Sequence, residues 1–399
     1  MKIKKTVFVG MSGGVDSAVS ATLLKEQGYD VVGVFIRTWH PEFLKCNEEE
    51  ERLDAMRVAA FLDIPFLTFD FEKVYKKEVA DYMISEYKAG RTPNPDVMCN
   101  KEVKFGAFLK KVVSMGADYV ATGHYAQTNK YTGFPCVTQG NPVYLNLGKL
   151  KIERENFGLL KGNDVTKDQS YFLWILKQEQ LKKILFPVGH LKKTEVRKLA
   201  KKLNLPVAEK KDSQGICFLG AIDLKEFLKH YIKEKKGEVS NTEGEKIGFH
   251  DGVVFNTLGE RHGFTITKKS PNDGPYYVVG KDLKKNILYV SQDKNHLAKS
   301  TDIFLLKNSS CSRQSLSQVS LQDGFCLCLR GTNWISKIPE LNKDYTAQIR
   351  YHGSFLPCRI KVLKGDKAEI HFKENVLVAP GQSCVVYDKD VVLGGGIVV

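Results

Sequence analysis

A short apolar strand that runs directly into a glycine-rich turn constrains this chain more than any other feature. Residues 6–17 read TVFVGMSGGVDS, and a helical pattern follows them. Gly13 and Gly14 let the backbone approach an anion closely. Ser12 and Ser17 add hydroxyl donors. The N–H groups and the positive dipole end of the following helix face the same turn. The stretch therefore predicts a phosphate-binding loop at the end of a β-strand.

This loop is not a Walker P-loop, because no Gly-Lys-Ser/Thr follows at the required spacing. Asp16 supplies a carboxylate that can help to hold a cation. The alternative is an ordinary strand-turn-helix corner, but two serines and an aspartate around a Gly-Gly pair are more than a turn requires. The pattern resembles the PP-loop of the N-type ATP pyrophosphatases. Those enzymes cleave ATP between the α and β phosphates and leave an adenylate on the substrate.

Strands and helices alternate over the first 130 residues. The predicted strands are 5–9, 31–36, 65–70 and 119–122, and the predicted helices are 18–28, 48–62, 72–88 and 104–115. Strands separated by helices of this length indicate right-handed crossovers and a parallel, doubly wound sheet. Ligands of such sheets lie at the carboxyl ends of the strands. We therefore expect the SGGVDS loop, Phe35–Ile36 and Gly123–His124 to converge on one crevice.

The remainder of the chain changes character. Helical periodicity returns at 170–176, 178–184, 193–203 and 222–234, after a segment at 129–164 that is typical of an extended hairpin or insertion. From residue 237 onward short strands alternate with Gly, Asn and Asp turns. We predict an α/β protein whose doubly wound parallel-sheet domain, at 1–211, precedes two smaller β-rich domains. These are a central domain at 212–297 and a C-terminal β-barrel at 298–399.

Charge and cysteine content narrow the class of protein. A formal net charge of +14 favours a polyanionic partner such as nucleic acid. No apolar run reaches the roughly 18 to 20 residues that span a bilayer, and no signal-peptide cleavage pattern follows the N-terminus. We therefore expect a cytoplasmic protein without membrane contact. Nine cysteines with no Cys-x-x-Cys argue against a disulfide framework and against a structural zinc site.

Two cysteines lie in loops that favour reactivity. Segment 90–101 reads GRTPNPDVMCNK, and its two prolines present Asp96 and Cys99 from a stiff loop. Lys101 and Arg91 are the cations there that we expect to favour a thiolate, and Asp96 could relay a proton. The alternative for Cys99 is a buried structural cysteine at the start of a helix.

Cys217 lies in a similar setting, within KKDSQGICF at 210–218. Lysines precede a glycine-containing loop, and this loop falls at the predicted domain boundary, where a substrate could reach it. Taken alone, a structural role for Cys217 is equally plausible. Taken with the phosphate-binding loop and Cys99, the pattern favours a mechanism with two cysteines.

Along nearly its whole length, the chain resembles the bacterial tRNA-specific 2-thiouridylases. These enzymes replace the C2 oxygen of the wobble uridine with sulfur in certain tRNAs. The matching blocks, in consistent order, are GMSGGVDS at 10–17, AGRTPNPDVMCNKEVKF at 89–105, GADYVATGHY at 116–125, KDQSYFL at 167–173, LFPVG at 185–189, KKDSQGICF at 210–218 and PGQSCVVY at 380–387. The block at 89–105 distinguishes this family from other adenylating enzymes.

The resemblance implies a role for each matching residue. ATP, with its bound magnesium, would contact Gly10, Met11, Ser12, Gly13, Gly14, Val15, Asp16, Ser17, Ile36 and Gly123. The tRNA would contact Asn94, Pro95, Asp96, His124, Lys167, Asp168, Gln169, Arg350, Tyr351 and Gln382, the last three in the C-terminal barrel. His124 could instead be a supporting histidine behind the site. No metal site of the protein's own is implied.

The same resemblance implies the sulfur chemistry. Cys217 would carry a persulfide, and Asp96 would act as acid or base. Cys99 would attack the persulfide or resolve the intermediate, and would end in a disulfide with Cys217. The sulfur would come from a persulfide sulfur-carrier protein or a cysteine desulfurase. The rivals are another PP-loop adenylating enzyme, which needs no paired cysteines, and an RNA-binding protein without catalysis.

The sequence departs from the family pattern in two places. Glu260 stands where the family usually has glutamine, and its negative charge could weaken contacts with RNA. The segment 129–164 is longer than in compact members of the family, and must loop away from the two cysteines.

Overall fold

The computed structural model describes most of the chain. The described residues are 4–44, 47–128, 157–212, 215, 217, 219–220, 223–270, 273–293 and 325–399, with the strand backbone at 136–138 and 141–143. Most of the predicted insertion at 129–164, and the start of the predicted third domain at 298–324, therefore lie outside the described residues.

The strands are numbered in chain order. They are β1 Thr6–Gly10, β2 Asp30–Arg37, β3 Phe66–Asp70, β4 Tyr119–Ala121, β5 Ala126–Thr128, β6 Cys136–Thr138, β7 Asn141–Val143, β8 Leu159–Lys161, β9 Ile184–Leu185, β10 Gly237–Ser240, β11 Lys246–His250, β12 Phe264–Ile266, β13 Tyr277–Asp282, β14 Ile287–Ser291, β15 Phe325–Trp334, β16 Tyr345–Gln348, β17 Leu356–Val362, β18 Lys367–Phe372, β19 Ser383–Asp388 and β20 Val391–Val398.

The helices follow the same numbering. They are α1 Val15–Glu26, α2 Glu48–Phe61, α3 Glu72–Tyr75, α4 Tyr82–Lys88, α5 Pro95–Met98, α6 Leu109–Ser114, α7 Gln178–Leu181, α8 Lys193–Lys202 and α9 Leu224–Lys229. Wider π-helical turns at Lys76–Asp81 join α3 to α4, and π-helical turns at Cys99–Phe108 join α5 to α6. Single 3₁₀ turns occur at Ser170–Phe172 and Val253–Phe255.

The first domain is the predicted doubly wound sheet. Its strand order is β3-β2-β1-β4-β9, and every pair in it is parallel. The strand order reverses at β1, so the crevice beside the end of β1 is the place where this class of sheet binds its ligand. Helices α1, α2 and α8 cover one face, with Val19, Val58 and Val196 fully buried beneath them. The two helices with π-helical turns cover the other face.

Two β-rich units follow, as the sequence predicts. The first is a five-stranded sheet in the order β12-β11-β10-β14-β13. The second is a closed barrel in the order β15-β18-β17-β16-β19-β20, which closes through pairing of β20 with β15. The predicted α/β fold with a C-terminal β-barrel is thereby confirmed.

The barrel and the first domain share one core. Strand β8, from the end of the predicted insertion, pairs with β20 and with β5, so the barrel sheet extends into the first domain. Trp174 and Tyr171 of the first domain pack against Tyr387 and Val385 of β19. Burial of large aromatic side chains on this scale holds two units in a fixed relation.

Several predicted helices are shorter or different. Segment 170–176 contains only a 3₁₀ turn, because Tyr171, Leu173, Trp174 and Leu176 are all buried and no single helical face could bury them together. The prediction of helix to residue 184 was wrong, since Ile184–Leu185 pairs with β4 as an edge strand. Helix α9 also occupies only part of 222–234. Tertiary pairing overrides local periodicity in these places.

No helix in the described part of the chain is both long and apolar enough to cross a membrane.

Candidate active site

The predicted phosphate-binding loop lies between β1 and the N-terminus of α1. Gly13 has φ +71, and a Cβ there would collide with the carbonyl oxygen of Glu51 on α2, so only glycine fits. Ser17 Oγ accepts from Ser12 N at 3.2 Å and donates to Gly14 O at 3.1 Å. These bonds close the loop in a curved shape that directs backbone N–H groups into the crevice.

Residues at two neighbouring strand ends line the same crevice. A Cβ at Gly123, just after β4, would lie 2.8 Å from Ser17 N and 3.0 Å from Asp16 Cβ, so glycine permits close approach to the loop. Ile36, at the end of β2, is buried. Met11 N donates to Val34 O at 2.7 Å, which ties the loop to β2. The strand ends predicted to bind ATP are therefore adjacent to the loop and to each other.

The two predicted cysteines meet in the core that packs on the face of the sheet with the π-helical turns. Cys99 Sγ donates to Cys217 Sγ at 3.5 Å, although the residues are far apart in sequence. Asp96 Oδ1 accepts from Cys217 N at 2.8 Å, and Tyr75 OH donates to Cys217 O at 2.7 Å. Cys99 is fully buried and Cys217 is partly buried. A small movement of either side chain would bring the two sulfur atoms to bonding distance.

The cation beside these thiols is Lys104, which the sequence analysis did not select. It forms a hydrogen bond with Cys217. The hydrogen bond from Cys99 lowers the pKa of Cys217 to about 7; burial opposes this shift and Lys104 adds to it. Burial and the nearby Cys217 hold the pKa of Cys99 well above its usual value. Cys217 is therefore the member of the pair that ionises near neutral pH, while Cys99 remains a thiol.

The two cations predicted for this role have other partners. Lys101 Nζ pairs with Glu102 at 2.9 Å and is half exposed. Arg91 Nε donates to Glu86 Oε2 at 2.7 Å. Glu86 also binds Arg330 of β15 at 3.3 Å, so Arg91 helps to attach the barrel instead of activating a thiol.

The loop that presents Asp96 and Cys99 is held by all three structural units. Thr92 N donates to Pro380 O at 2.7 Å, and Gln382 Nε2 donates to Thr92 O at 2.9 Å, both from the barrel. Thr92 Oγ1 lies 3.2 Å from Thr257 Oγ1 of the central unit. Asn94 then caps α5 through Val97 N at 3.2 Å. Contacts from the barrel and the central unit therefore help to hold this loop in place.

Comparison with known proteins matches this architecture along its length. A tRNA methyl transferase HUP domain model matches residues 5–221, a tRNA methyl transferase PRC-barrel domain model matches 225–292, and an aminomethyltransferase β-barrel domain model matches 325–398. The tRNA-specific 2-thiouridylase MnmA of Streptococcus thermophilus is 44% identical over 99% of this chain and 95% of its own length. The chain belongs to the tRNA-specific 2-thiouridylase family.

Relatives from distant bacteria give the same result. The 2-thiouridylases of Listeria monocytogenes and Nitrosomonas europaea are each 42% identical to this chain. They cover 98% and 99% of it, and 93% and 98% of their own lengths. The family resemblance predicted from the sequence is thereby confirmed, and it extends through both β-rich units of this 2-thiouridylase family member.

Some residues predicted to contact tRNA lie at the thiol site of this 2-thiouridylase family member. Tyr351 lies close enough to Asp96 and Asp168 for their charges to raise its pKa, an effect added to that of burial. The Tyr351 ring contacts Phe172, with centroids 4.4 Å apart. Burial raises the pKa of Asp96. Pro95 begins α5, and Arg350 is exposed next to Tyr351.

Other residues predicted to contact tRNA make internal bonds. Asp168 Oδ1 accepts from Gly162 N at 2.9 Å, and Gln169 Oε1 accepts from Tyr125 N at 3.0 Å. His124 Nδ1 lies 2.8 Å from Thr122 Oγ1, and its buried ring packs near Phe105 and Phe186. Burial and then Lys104 lower the pKa of His124, so the ring is neutral. Lys167 Nζ pairs with Asp212 at 3.1 Å.

One group of potential metal ligands lies away from this site, in the barrel. Donor atoms of Cys326, Glu369 and His371 lie within 4.8 Å of one another on neighbouring strands β15 and β18. Lys361, opposite Glu369 on β17, adds a positive charge to the same group. A cation there would have to compete with that ammonium. Near the phosphate-binding loop, Asp16 offers a carboxylate of the kind that magnesium prefers, although Lys193 Nζ lies 2.7 and 2.8 Å from its two oxygens.

A first prediction concerns Lys104. Replacing it by methionine removes the buried ammonium and should raise the pKa of Cys217 above about 7. A thiolate forms as the pH rises through the pKa, so alkylation of Cys217 at pH 7 should slow about fivefold for a one-unit rise. Peptide mapping after iodoacetamide labelling across pH 6 to 9 measures this. The control is Lys101→Met, which should leave the profile unchanged. An unchanged profile in Lys104→Met would assign the low pKa to Cys99 alone.

Proposed function

We propose that the protein is an ATP-dependent tRNA uridine 2-sulfurtransferase that forms 2-thiouridine at the wobble position. The observation that carries this proposal is the 3.5 Å contact of Cys99 and Cys217, beside Asp96, in the same domain as the phosphate-binding loop. A ligase of the same fold needs ATP but not paired thiols. A methyl transfer, which the family-model descriptions name, would need neither feature.

The adenylation step uses the loop at the end of β1. Uridine O2 is a poor leaving group, so the enzyme first transfers AMP from ATP to it and releases pyrophosphate. Gly13 and Gly14 would admit the phosphates, and Asp16 would hold the magnesium that ATP brings. Magnesium neutralises charge on the phosphates when it is bound. Ile36 and Gly123 would flank the adenine and the ribose.

Transfer of sulfur to the uridine uses the two thiols. Cys217 carries a persulfide, whose outer sulfur attacks C2 of the adenylated uridine and displaces AMP. Cys99 then gives up its thiol proton and attacks Cys217 Sγ, which breaks the bond to the transferred sulfur and forms the Cys99–Cys217 disulfide. The transferred sulfur leaves as the reduced thiocarbonyl, and the two cysteines are oxidised to each other. An external thiol must reduce the disulfide before the next cycle.

The other side chains of the site exclude water and place the base. Asp96, whose pKa burial raises, is available as an acid or base at the uridine. The target base must leave the anticodon stack to reach a fully buried Cys99. The Tyr351 and Phe172 rings flank the same place and offer apolar surface to it. A persulfide carrier or a cysteine desulfurase would supply the sulfur.

The test is mass spectrometry of tRNA nucleosides after incubation with ATP, magnesium and a persulfide donor. We expect 2-thiouridine that depends on all three components, with AMP and pyrophosphate formed in equal amounts. ATP-dependent modification without sulfur incorporation would favour another adenylating reaction. No modified nucleoside and no pyrophosphate would refute the proposal.

A second prediction follows from the charge of +14. Binding of tRNA should weaken steeply with salt, with the logarithm of affinity falling linearly against the logarithm of salt concentration. If about six phosphates are contacted, affinity should fall about 1000-fold between 50 and 200 mM salt. Filter binding at several salt concentrations measures the slope. A flat profile would contradict a tRNA substrate held through its backbone.

A further inference from the structure

A chain of charged side chains joins the phosphate-binding loop to the segment that carries Cys217. Lys193 Nζ lies 2.7 and 2.8 Å from the two carboxylate oxygens of Asp16. The same ammonium lies 2.9 Å from Asp212 Oδ1. We call Asp16, Lys193 and Asp212 the lysine bridge. The ammonium is largely buried, with its side chain 13% exposed. Charge-assisted bonds in such a setting are stronger than those on an open surface.

Asp212 holds its end of the lysine bridge independently of Asp16. Arg197 bonds to Asp212 Oδ1, and Lys167 bonds to Oδ2 at 3.1 Å. Burial alone would raise the pKa of Asp212, but bonds from Lys193, Lys167 and Arg197 lower it to about 2. Asp212 therefore remains a carboxylate at every physiological pH. It would retain Lys193 if Asp16 were taken by another cation.

The backbone places the ammonium at the mouth of the phosphate-binding loop. Lys193 is the first residue of α8, and its N–H donates to Asp164 Oδ2 at 2.8 Å. Val196 and Ala200 bury the inner face of α8 against the core that includes α1. The ammonium thus stands beside the N-terminus of α1, where the dipole and the loop N–H groups already favour an anion.

We propose that Lys193 is a phosphate-binding residue of the ATP site, and that without nucleotide it occupies Asp16 in place of a metal ion. When ATP arrives with its magnesium, Asp16 exchanges the ammonium for that ion. Lys193, still bound to Asp212, then contacts the phosphates. This inference rests on the proposed use of ATP. The inference goes beyond ATP use, because it predicts that the site rejects free divalent cations and accepts them only together with nucleotide.

The site should reject free divalent cations because such a cation competes with Lys193 for the carboxylate of Asp16. Both Asp16 oxygens already face an ammonium, and Tyr125 OH also donates to Oδ1 at 2.7 Å. A free divalent cation would have to displace the ammonium and approach it closely, and the repulsion of like charges opposes this. A nucleotide changes the balance because its phosphates give the displaced ammonium a new anionic partner.

The experiment compares Lys193→Met with Lys198→Met in the full chain. Lys198 is an exposed lysine of the same helix, so both variants lose one positive charge. Isothermal titration with ATP and magnesium, without tRNA, should show a Kd about 10- to 100-fold higher in Lys193→Met, the effect of one charge-assisted hydrogen bond. Electron paramagnetic resonance with Mn²⁺ alone should show the opposite, with at least tenfold tighter binding than in the wild type. Lys198→Met should behave as the wild type in both.

The outcomes separate this inference from the proposed function. Equal ATP and Mn²⁺ affinities in Lys193→Met and wild type would overturn the role of Lys193. A wild type that binds no ATP would refute the proposed function instead. If Lys193→Met does not fold, Asp212→Asn provides the test. It should weaken ATP binding several-fold while Mn²⁺ binding stays weak, since Lys193 remains on Asp16. Unchanged ATP binding in Asp212→Asn would overturn the inference.

Discussion

Replacement of Cys217 by serine should abolish formation of 2-thiouridine while adenylation continues. Serine cannot carry a persulfide, whereas the phosphate-binding loop lies on a different strand end and is left unchanged. Cys99→Ser should instead accept sulfur on Cys217 and stall before the sulfur is released, because no sulfur nucleophile remains 3.5 Å away to break the last sulfur–sulfur bond. Nucleoside mass spectrometry, pyrophosphate release and peptide mapping of the persulfide distinguish the two variants.

The wild type should also accumulate a Cys99–Cys217 disulfide when it turns over without reductant. The control is Cys326→Ser, since Cys326 is a partly buried cysteine of the barrel, away from the thiol site. It should support full thiolation. Full thiolation by Cys217→Ser, or a turnover-dependent disulfide between other cysteines, would contradict the mechanism and leave the fold unaffected.

The crevice could be predicted from the sequence because short, contiguous patterns of residues determine it. The strand-to-glycine transition at 6–17 and the alternation of strands and helices require a parallel sheet, and a parallel sheet brings its carboxyl ends together. Gly123 and Ile36 could be assigned to the crevice on that basis. The meeting of Cys99 and Cys217 was different, since it depends on tertiary packing. The two loops favoured a mechanism with two cysteines, but the pairing itself came from the family resemblance.

Lys104 shows why one member of the thiol site was missed. On an ordinary α-helix, residues five apart such as Cys99 and Lys104 point about 140° away from each other. The π-helical turns at Cys99–Phe108 bring residues five apart onto one face. Periodicity of 3.6 residues therefore argues against the contact that the structure shows. The signal that could have found Lys104 is its place within the block at 89–105.

Lys193 was missed for a simpler reason. Among 60 lysines and arginines, nothing in the sequence distinguishes the first residue of α8 from its neighbours Lys192 and Lys198. Its partners Asp16 and Asp212 are far from it along the chain. Only the packing of α8 against α1 shows which lysine reaches the loop.

Glu260, which departs from the family pattern, has partners of its own in the central unit. Its carboxylate pairs with Lys225 at 3.0 Å and accepts from Thr257 N at 2.8 Å. Lys281 lies nearby, with burial lowering its pKa to about 8 and Glu260 opposing that effect. The negative charge is thus balanced within the central unit. We therefore expect the negative charge of Glu260 to have little effect on RNA binding. Its carboxylate helps to stabilise the charge of Lys281, whose Nζ donates to Gly90 O at 3.4 Å.

Replacement of Asp16 by alanine should lower pyrophosphate release by about 100- to 1000-fold, the effect of removing one preorganised electrostatic group from a reacting phosphate. The fold should persist, because Asp16 is about one-third exposed and Lys193 keeps Asp212 as a partner at 2.9 Å. Asp16→Asn, which keeps the shape and the bond from Tyr125, should be nearly as slow.

The matched control is Glu26→Ala, which removes the same charge from the exposed end of the same helix α1. It should release pyrophosphate at the wild-type rate. Measuring the ATP Kd beside the rate separates binding from chemistry: a rate that falls much more than the affinity places Asp16 on the transition state. Pyrophosphate release by Asp16→Ala at the wild-type rate would remove Asp16 from the ATP site, and with it the exchange of Lys193 for magnesium on which the lysine bridge depends.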